Sequence, residues 1–405
     1  MVRGPHSRET LPAPLVVALV GFTALGIAMG IGRFAFTPIL PVMQQEAAVS
    51  VREGGWLASA NYLGYLLGAL SAVKLPFRAS TAIRAGLLVI GIATFSMGSV
   101  EGLALWLALR GLAGVGSAWV LVFASAWALE KLSAAGRSML RGTVFAGVGT
   151  GIAIAGFVCV ALGQRRAGSP IAWHALGVIA LVATGAIWSI FRTGHEENGK
   201  PSRPGASQRF PWDVHSIRLV LCYGIFGFGY IIPATFVPAM ARVLVKDPLV
   251  FGWSWPVFGI AAALSTLVAV AASGFVGNRR LGAISHLTMA VGVGAPVVWP
   301  TIGGILIAAS LVGGTFMVIT MIAMHEAQIV GGAHATRLMA VMTAAFAAGQ
   351  IGGPLLVSFS VGPEIDFSRP LLIACLLLVL SAGMLSCPLS SVHARPEERI
   401  DRHPS

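Results

Sequence analysis

Charge is what this sequence has least of. Asp, Glu, Lys and Arg make up 10% of its 405 residues and hydrophobic residues make up 56%, whereas a soluble domain carries roughly 25% charged residues. Too few polar groups exist to coat a water-soluble globule. Acids are the scarcer sign, 15 against 27 Lys and Arg, and each falls in a loop, a tail or the end of an apolar run. That excludes a buried carboxylate pair and leaves no central Asp or Glu for a proton relay across a membrane. The four cysteines, Cys159, Cys222, Cys375 and Cys387, lie in or beside apolar runs without metal-ligand spacing, so no metal and no cofactor is expected. No nucleophile and base pair up either, so the chain is not expected to be an enzyme. The segment GHEENGKP has Pro201 where a phosphate-binding loop needs Ser or Thr, and an ATP-driven pump is excluded with it.

What is present is apolar length. The first run starts near Leu15, continues for more than twenty residues and ends without a small-residue cleavage site, so it reads as a first span and not as a signal peptide. Cutting at charged and turn residues predicts twelve spans of about 20 residues each, the length a bilayer core requires. They run over 14–41, 55–76, 82–100, 103–129, 141–162, 171–191, 216–241, 252–275, 283–300, 302–326, 337–360 and 369–389. Lys and Arg cluster in alternate loops. With both termini inside, 19 of the 27 face the cytoplasm, six lie outside, and only Arg33 and Arg110 fall within spans. The net charge of +12 is dispersed between apolar runs, which suits anionic headgroups and not nucleic acid. The expected partners are the lipid bilayer and a small-molecule substrate, and the chain is expected to be a monomer in a bacterial inner membrane.

The chain repeats itself. At an offset of 197 residues, GIGRFAFTPILP from Gly30 lies over GFGYIIPATFVP from Gly227, and Gly55-Trp56 lies over Gly252-Trp253. An offset of 196 pairs Glu130 with Glu326 and Arg141 with Arg337. Six spans per copy put both copies into the membrane in the same direction, with a solute site at the midplane between them. The expected organisation is an N-terminal tail (1–13), a first six-helix bundle (14–191), a cytoplasmic linker rich in Pro, Gly and Ser (192–215), a second bundle (216–389) and a cytoplasmic tail (390–405). This is an all-α membrane protein of two parallel six-helix repeats.

Twelve spans, the duplication and the long central linker resemble the major facilitator superfamily, and GIGRFAFTPILPVM followed by GWLASANYLGYLLGAL resembles its YbfB/YjiJ branch. Arg110, Gly114 and Gly116 resemble the superfamily's span 4 pattern, with Ala113 replacing the usual polar residue. The signature loop after span 2 departs from the pattern: Ala72 stands at its acidic position, and its counterpart survives only as Gly274, Asn278 and Arg279. Span 5 lacks the Gly-Pro motif of drug/proton antiporters; GQIGGP, Gly349 to Pro354, resembles it in the other half. The resemblance implies a secondary transporter in which spans 1, 4, 7 and 10 line the cavity.

A membrane arginine costs about 2.5–3.5 kcal/mol on insertion scales, so one kept there faces a cavity or a partner. Arg33 shares a helical face with Gly26, Gly30 and Thr37 and lies about 12 Å below the outer end of its span. Either it contacts solute or gates the path, or it is a structural arginine bonded to helix carbonyls. Arg110 lies about 10 Å deep on the same reckoning, and for it the structural role is the nearer reading. With no acid at mid-membrane, two such arginines attract an anion, although a water-filled cavity would equally hydrate them. Asn61, Tyr65, Tyr230 and Gln350 are further polar groups able to orient a solute or to bond between helices. His325, Glu326 and Glu130 are the protonatable candidates for coupling, set against local ion pairing near the inner face. The expected function is secondary or facilitative transport of a small solute, with an organic anion as the leading candidate, by alternating access. The alternatives are efflux of a hydrophobic or neutral compound, and a non-transporting receptor or assembly protein on the same fold.

Overall fold

The computed structural model describes residues 13–74, 78–191, 212–244, 248–360 and 368–387. The expected tails and most of the central linker lie outside them. Every regular element among the described residues is helical. The α-helices are α1 (Pro14–Leu25), α2 (Phe36–Glu46), α3 (Val51–Lys74), α4 (Ala79–Met97), α5 (Leu103–Ala134), α6 (Arg141–Gln164) and α7 (Ser169–Ile187) in the first half of the chain. The second half holds α8 (Val214–Leu244), α9 (Pro248–Val276), α10 (Asn278–Val298), α11 (Ile302–Gly331), α12 (Ala335–Ser360) and α13 (Ser368–Ser386). Ten stretches are long and apolar enough to cross a membrane. One of them, Gly303–Gly353, takes in most of both α11 and α12, which meet at a 3₁₀ turn, Gly332–His334. Helix α3 is not among the ten; Asn61, Tyr62 and Tyr65 lower its hydropathy. Large apolar side chains stay outside the bundle, Phe275 at 92% and Val298 at 85% exposure, an arrangement stable against hydrocarbon and costly against water.

The first span is not the continuous helix that its hydropathy predicts. A π-helix, Gly26–Ile31, follows α1, and a turn separates it from α2. Pro38 explains the break. It has no N–H to offer the carbonyl of Phe34, and its ring excludes that carbonyl from the usual position. The backbone widens instead, so that Gly32 N–H donates to Ile27 O (2.9 Å) and Phe34 N–H to Met29 O (3.1 Å), each five residues back.

Helix α1 packs on α6, α3 on α5, and α4 on both α5 and α7. In the second half α8 packs on α12, α9 on α11, and α10 on both α11 and α13. Two seams join the halves, α6 along α9 and α3 along α12. Several contacts are backbone to backbone. A Cβ on Gly30 would stand 2.5 Å from Gly151 Cα, and one on Gly26 would stand 2.9 Å from Gly147 O. In α8 and α12 Gly227 lies on the Phe346 carbonyl and Gly349 on that of Gly224. Small residues permit this approach, which supplies dispersion contact where lipid offers no hydrophobic drive.

Gly30→Val forces the π-helix Gly26–Ile31 and α6 apart and is expected to cost about 1–3 kcal/mol, the usual penalty of overpacking. Gly185→Ala, with nothing within 4 Å of its added methyl, is expected to leave stability unchanged. Thermal unfolding of the detergent-purified protein checks both; equal melting temperatures for Gly30→Val and wild type would contradict the close-packed seam.

Candidate functional site

The widened turn leaves backbone carbonyls without intrahelical donors, and α5 and α3 supply them. Arg110 Nη1 donates to Gly32 O and Nη2 to Arg33 O, both at 3.2 Å, and its guanidinium lies 4.7 Å from the Phe36 ring centre. Asn61 Nδ2 donates to Arg110 O at 2.9 Å, with Gly32 O at 3.4 Å. The Ser117 hydroxyl lies 2.7 Å from both Ala28 O and Ala113 O. Gly114 lets α3 and α5 approach here, because a Cβ would run into the Asn61 carbonyl. Arg110 and Asn61 therefore fix the backbone of the break, in contact with carbonyls.

Arg33 sits on that fixed backbone and is turned the other way. It is 4% exposed. Its Nη2 donates to Gln350 Oε1 on α12 at 2.5 Å, across one of the two seams between halves. The Tyr65 ring lies 4.0 Å from the guanidinium carbon, with Phe34 at 5.6 Å and Tyr62 and Phe346 each at 5.8 Å, distances at which ring quadrupoles attract a cation. Five buried polar atoms at this cluster have no well-aligned hydrogen-bond partner, Arg33 Nε and Nη1, Gln350 Nε2, Tyr65 Oη and Tyr230 Oη, although the Tyr65 hydroxyl lies beside Arg33 and that of Tyr230 beside Gln350. All of them can donate. The structure thus brings Arg33, Tyr65, Tyr230 and Gln350 together, with Arg110 and Asn61 one layer behind. Phe316 and Phe346 complete the cluster; as apolar aromatics in apolar spans they carried no signal in the sequence.

His325 and Glu326 lie elsewhere. They sit half-buried near the end of α11, at the level where α6 begins, and ten residues of α6 from Arg141 to Gly151, roughly 15 Å, separate that level from the break. There Arg141 reaches from the first half into the second. Its Nη1 donates to His325 Nε2 (3.3 Å) and its Nη2 to Ser273 Oγ (2.8 Å) and Asn278 Oδ1 (3.1 Å). Glu130, near the end of α5, is exposed and joins neither group. His286 is buried eight residues into α10 and shares with Arg218, Arg279 and Glu326 a cavity of about 220 Å³ that does not include Arg33. Arg218 and Arg279 there donate to carbonyls at the end of α13, Cys387 O at 3.0 and 2.7 Å. Acids elsewhere hold helix starts: Glu46 accepts from Ser169 N–H at 2.8 Å and Asp213 from Ser216 N–H at 2.8 Å.

An all-helical chain with this many membrane-crossing stretches and a donor-rich polar cluster at the seam of its halves belongs among multi-pass membrane transporters. Residues 25–386 match the family model described as uncharacterised MFS-type transporter YbfB, and the chain is a member of that family. Among curated proteins no match is found.

Arg110→Leu takes the Arg110 donors from the Arg33 and Gly32 carbonyls and leaves Gly32 O only the longer contact with Asn61 Nδ2, a loss of about 1–3 kcal/mol for an acceptor so stranded. It is expected to lower the melting temperature of the purified protein, and Arg33→Leu is not. Equal unfolding temperatures for Arg110→Leu and wild type would show that the break does not rely on Arg110.

Proposed function

We propose that this chain is a secondary transporter that carries a small anionic solute by alternating access, with Arg33 as its anchor. The observation that carries the reading is the state of Arg33. It is a buried cation whose hydrogen-bond acceptor is a neutral amide, surrounded by rings and by further donors without a well-aligned partner. Such a charge is expensive in a membrane unless something of opposite sign visits it.

The proposal includes twelve spans in two parallel six-helix bundles, 14–191 and 216–389, with both termini and the 192–215 linker cytoplasmic. Counting α1 and α2 as one span, each helix pair of the first half has a counterpart six spans later. The seam of α6 with α9 likewise corresponds to that of α12 with α3. A two-fold axis along the membrane normal accounts for all of these pairings. In this arrangement the Arg141 cluster is a cytoplasmic latch between halves, and Gln350 with Arg33 is the tie at the substrate level. Opening toward the cytoplasm breaks the first.

Proteoliposomes of the purified protein, screened with organic anions with and without a pH gradient, test the function. Arg33→Ala is expected to reduce uptake to below about a tenth without loss of folded protein. Arg33→Lys keeps the charge but not the planar fork and is expected to retain part of it. Wild-type uptake by Arg33→Ala of an anion identified as substrate would refute the anchor. For the latch, Arg141→Ala is expected to raise the labelling rate of a cysteine placed at Ala323 by a membrane-impermeant maleimide applied from the cytoplasmic side. An unchanged rate would remove Arg141 from gating.

A further inference from the structure

The two halves bring different chemistry to the Arg33 cluster. The second half carries a continuous stack of rings: Trp255 on Phe258 (5.3 Å, 6°), Phe258 on Phe316 (5.4 Å, 27°), Phe316 on Tyr230 (5.5 Å, 11°), Tyr230 on Phe346 (5.9 Å, 13°) and Phe346 on Tyr223 (5.1 Å, 26°). Where the first half meets this wall the geometry changes. Tyr65 meets Phe346 edge-on (6.4 Å, 68°) and Phe34 meets Phe316 edge-on (5.8 Å, 80°). These stacked contacts lie within one half, and these edge-on contacts lie between halves, so it is the edge-on set that parting of the halves would break. The chain has four tyrosines, and all four belong to this region: Tyr62 and Tyr65 beside Arg33, Tyr223 and Tyr230 in the wall.

We infer that the solute of the Arg33 site is an aromatic monocarboxylate, its carboxylate held by Arg33 and Gln350 and its ring, once the halves part, taking the place that the Phe34 and Tyr65 edges hold here against Phe316 and Phe346. With Tyr230, those two rings are buried against one another in this structure. The inference rests on the reading of the chain as an anion transporter and narrows it. The groups without a well-aligned partner are the guanidinium Nε and Nη1, an amide N–H and two phenol O–H groups, the phenols lying beside Arg33 and Gln350 themselves. A carboxylate is acceptor-only and offers about four lone-pair sites to such a set. The charge is single because Arg110, the other interior arginine, already spends both terminal nitrogens on the Gly32 and Arg33 carbonyls. A small inorganic anion would meet the donors but leave the wall unused. An uncharged aromatic compound would use the wall and strand the buried donors, which is heavily penalised at a site built for hydrogen bonding. A ring carrying one carboxylate satisfies both halves at once, and touching both is what lets a bound solute bias their relative position.

Binding to the detergent-purified full chain, measured by isothermal titration calorimetry, tests this with matched pairs: benzoate against cyclohexanecarboxylate, and phenylacetate against cyclohexylacetate. Each pair keeps charge and approximate size and differs in the π face. The better aromatic acid is expected to bind about tenfold tighter than its saturated partner, the order of one aromatic contact, and benzamide, which has the ring without the charge, to bind more weakly still. Phe316→Leu and Phe346→Leu are nearly volume-conserving and are expected to fold as judged by melting temperature. Each should reduce the aromatic preference while keeping carboxylate binding, and Arg33→Ala should remove binding of all four acids. Equal affinity within both pairs would overturn the aromatic assignment and leave an anion transporter standing. Binding of none of the acids by wild type would overturn the aromatic-acid assignment, and undiminished binding by Arg33→Ala would overturn the Arg33 anchor on which both readings rest.

Discussion

Late in the first span the backbone meets a proline, Pro38, with no amide hydrogen to give, and in a membrane no water stands by to replace it. Hydrogen bonds at the break must therefore come from the protein itself. The helix answers in two ways: it widens to five-residue spacing over Gly26–Ile31, and it takes donors from neighbouring helices. Arg110 crosses from α5 to the carbonyls of Gly32 and Arg33, and Asn61 from α3 ties the Arg110 carbonyl to the same place. Three helices are locked at one point by the needs of one interrupted backbone. Everything about Arg33 follows, because its backbone is held from behind and its side chain is free to face the opposite half.

Two arginines in one low-dielectric region are handled in opposite ways. Arg110 gives both terminal nitrogens to carbonyl dipoles, a sequestered charge that does mechanical duty. Arg33 has one neutral acceptor, Gln350 Oε1, and the faces of aromatic rings. Ring quadrupoles lower the cost of a buried cation without matching a counter-ion. Cheap, partial neutralisation of this kind keeps the charge available, which is useful only if a ligand completes it.

Close helix packing sets how far such a site can be shared. Glycines at α1/α6 and α8/α12 bring backbones into direct contact, and within each half this leaves little freedom. Across the halves, the ties near Arg33 are Gln350 and edge-on rings, and at the other end Arg141 with His325, Ser273 and Asn278. Polar and edge contacts of this sort are exchanged more readily than interlocked backbone. The α6/α9 seam between the halves is itself interlocked, Gly149 lying on the Gly259 carbonyl and Gly259 on the Ala153 amide, so relative movement of the halves parts a close backbone contact as well as these polar and edge-on ties.

Hydropathy and the scarcity of charge determined, from sequence alone, that this is an all-helical membrane protein, because only internally hydrogen-bonded helices or barrels survive in hydrocarbon and the apolar runs have helix length. Depth arithmetic along the first and fourth spans singled out Arg33 and Arg110, and absence of mid-span acids marked both as unpaired. What the tertiary structure decided is how these two like residues differ. Arg110 is bound to a carbonyl 78 positions away and Arg33 to an amide 317 positions away, and no periodicity along one helix reports which groups meet across a bundle. The break in the first span was hidden from hydropathy, because Pro38, which explains it, hardly lowers the apolar character of the run. Phe316 and Phe346 read as ordinary lipid-soluble side chains until packing stacked them beside a cation. Local chemistry is written along the chain, whereas the pairing of a buried charge depends on long-range proximity that only the folded bundle supplies.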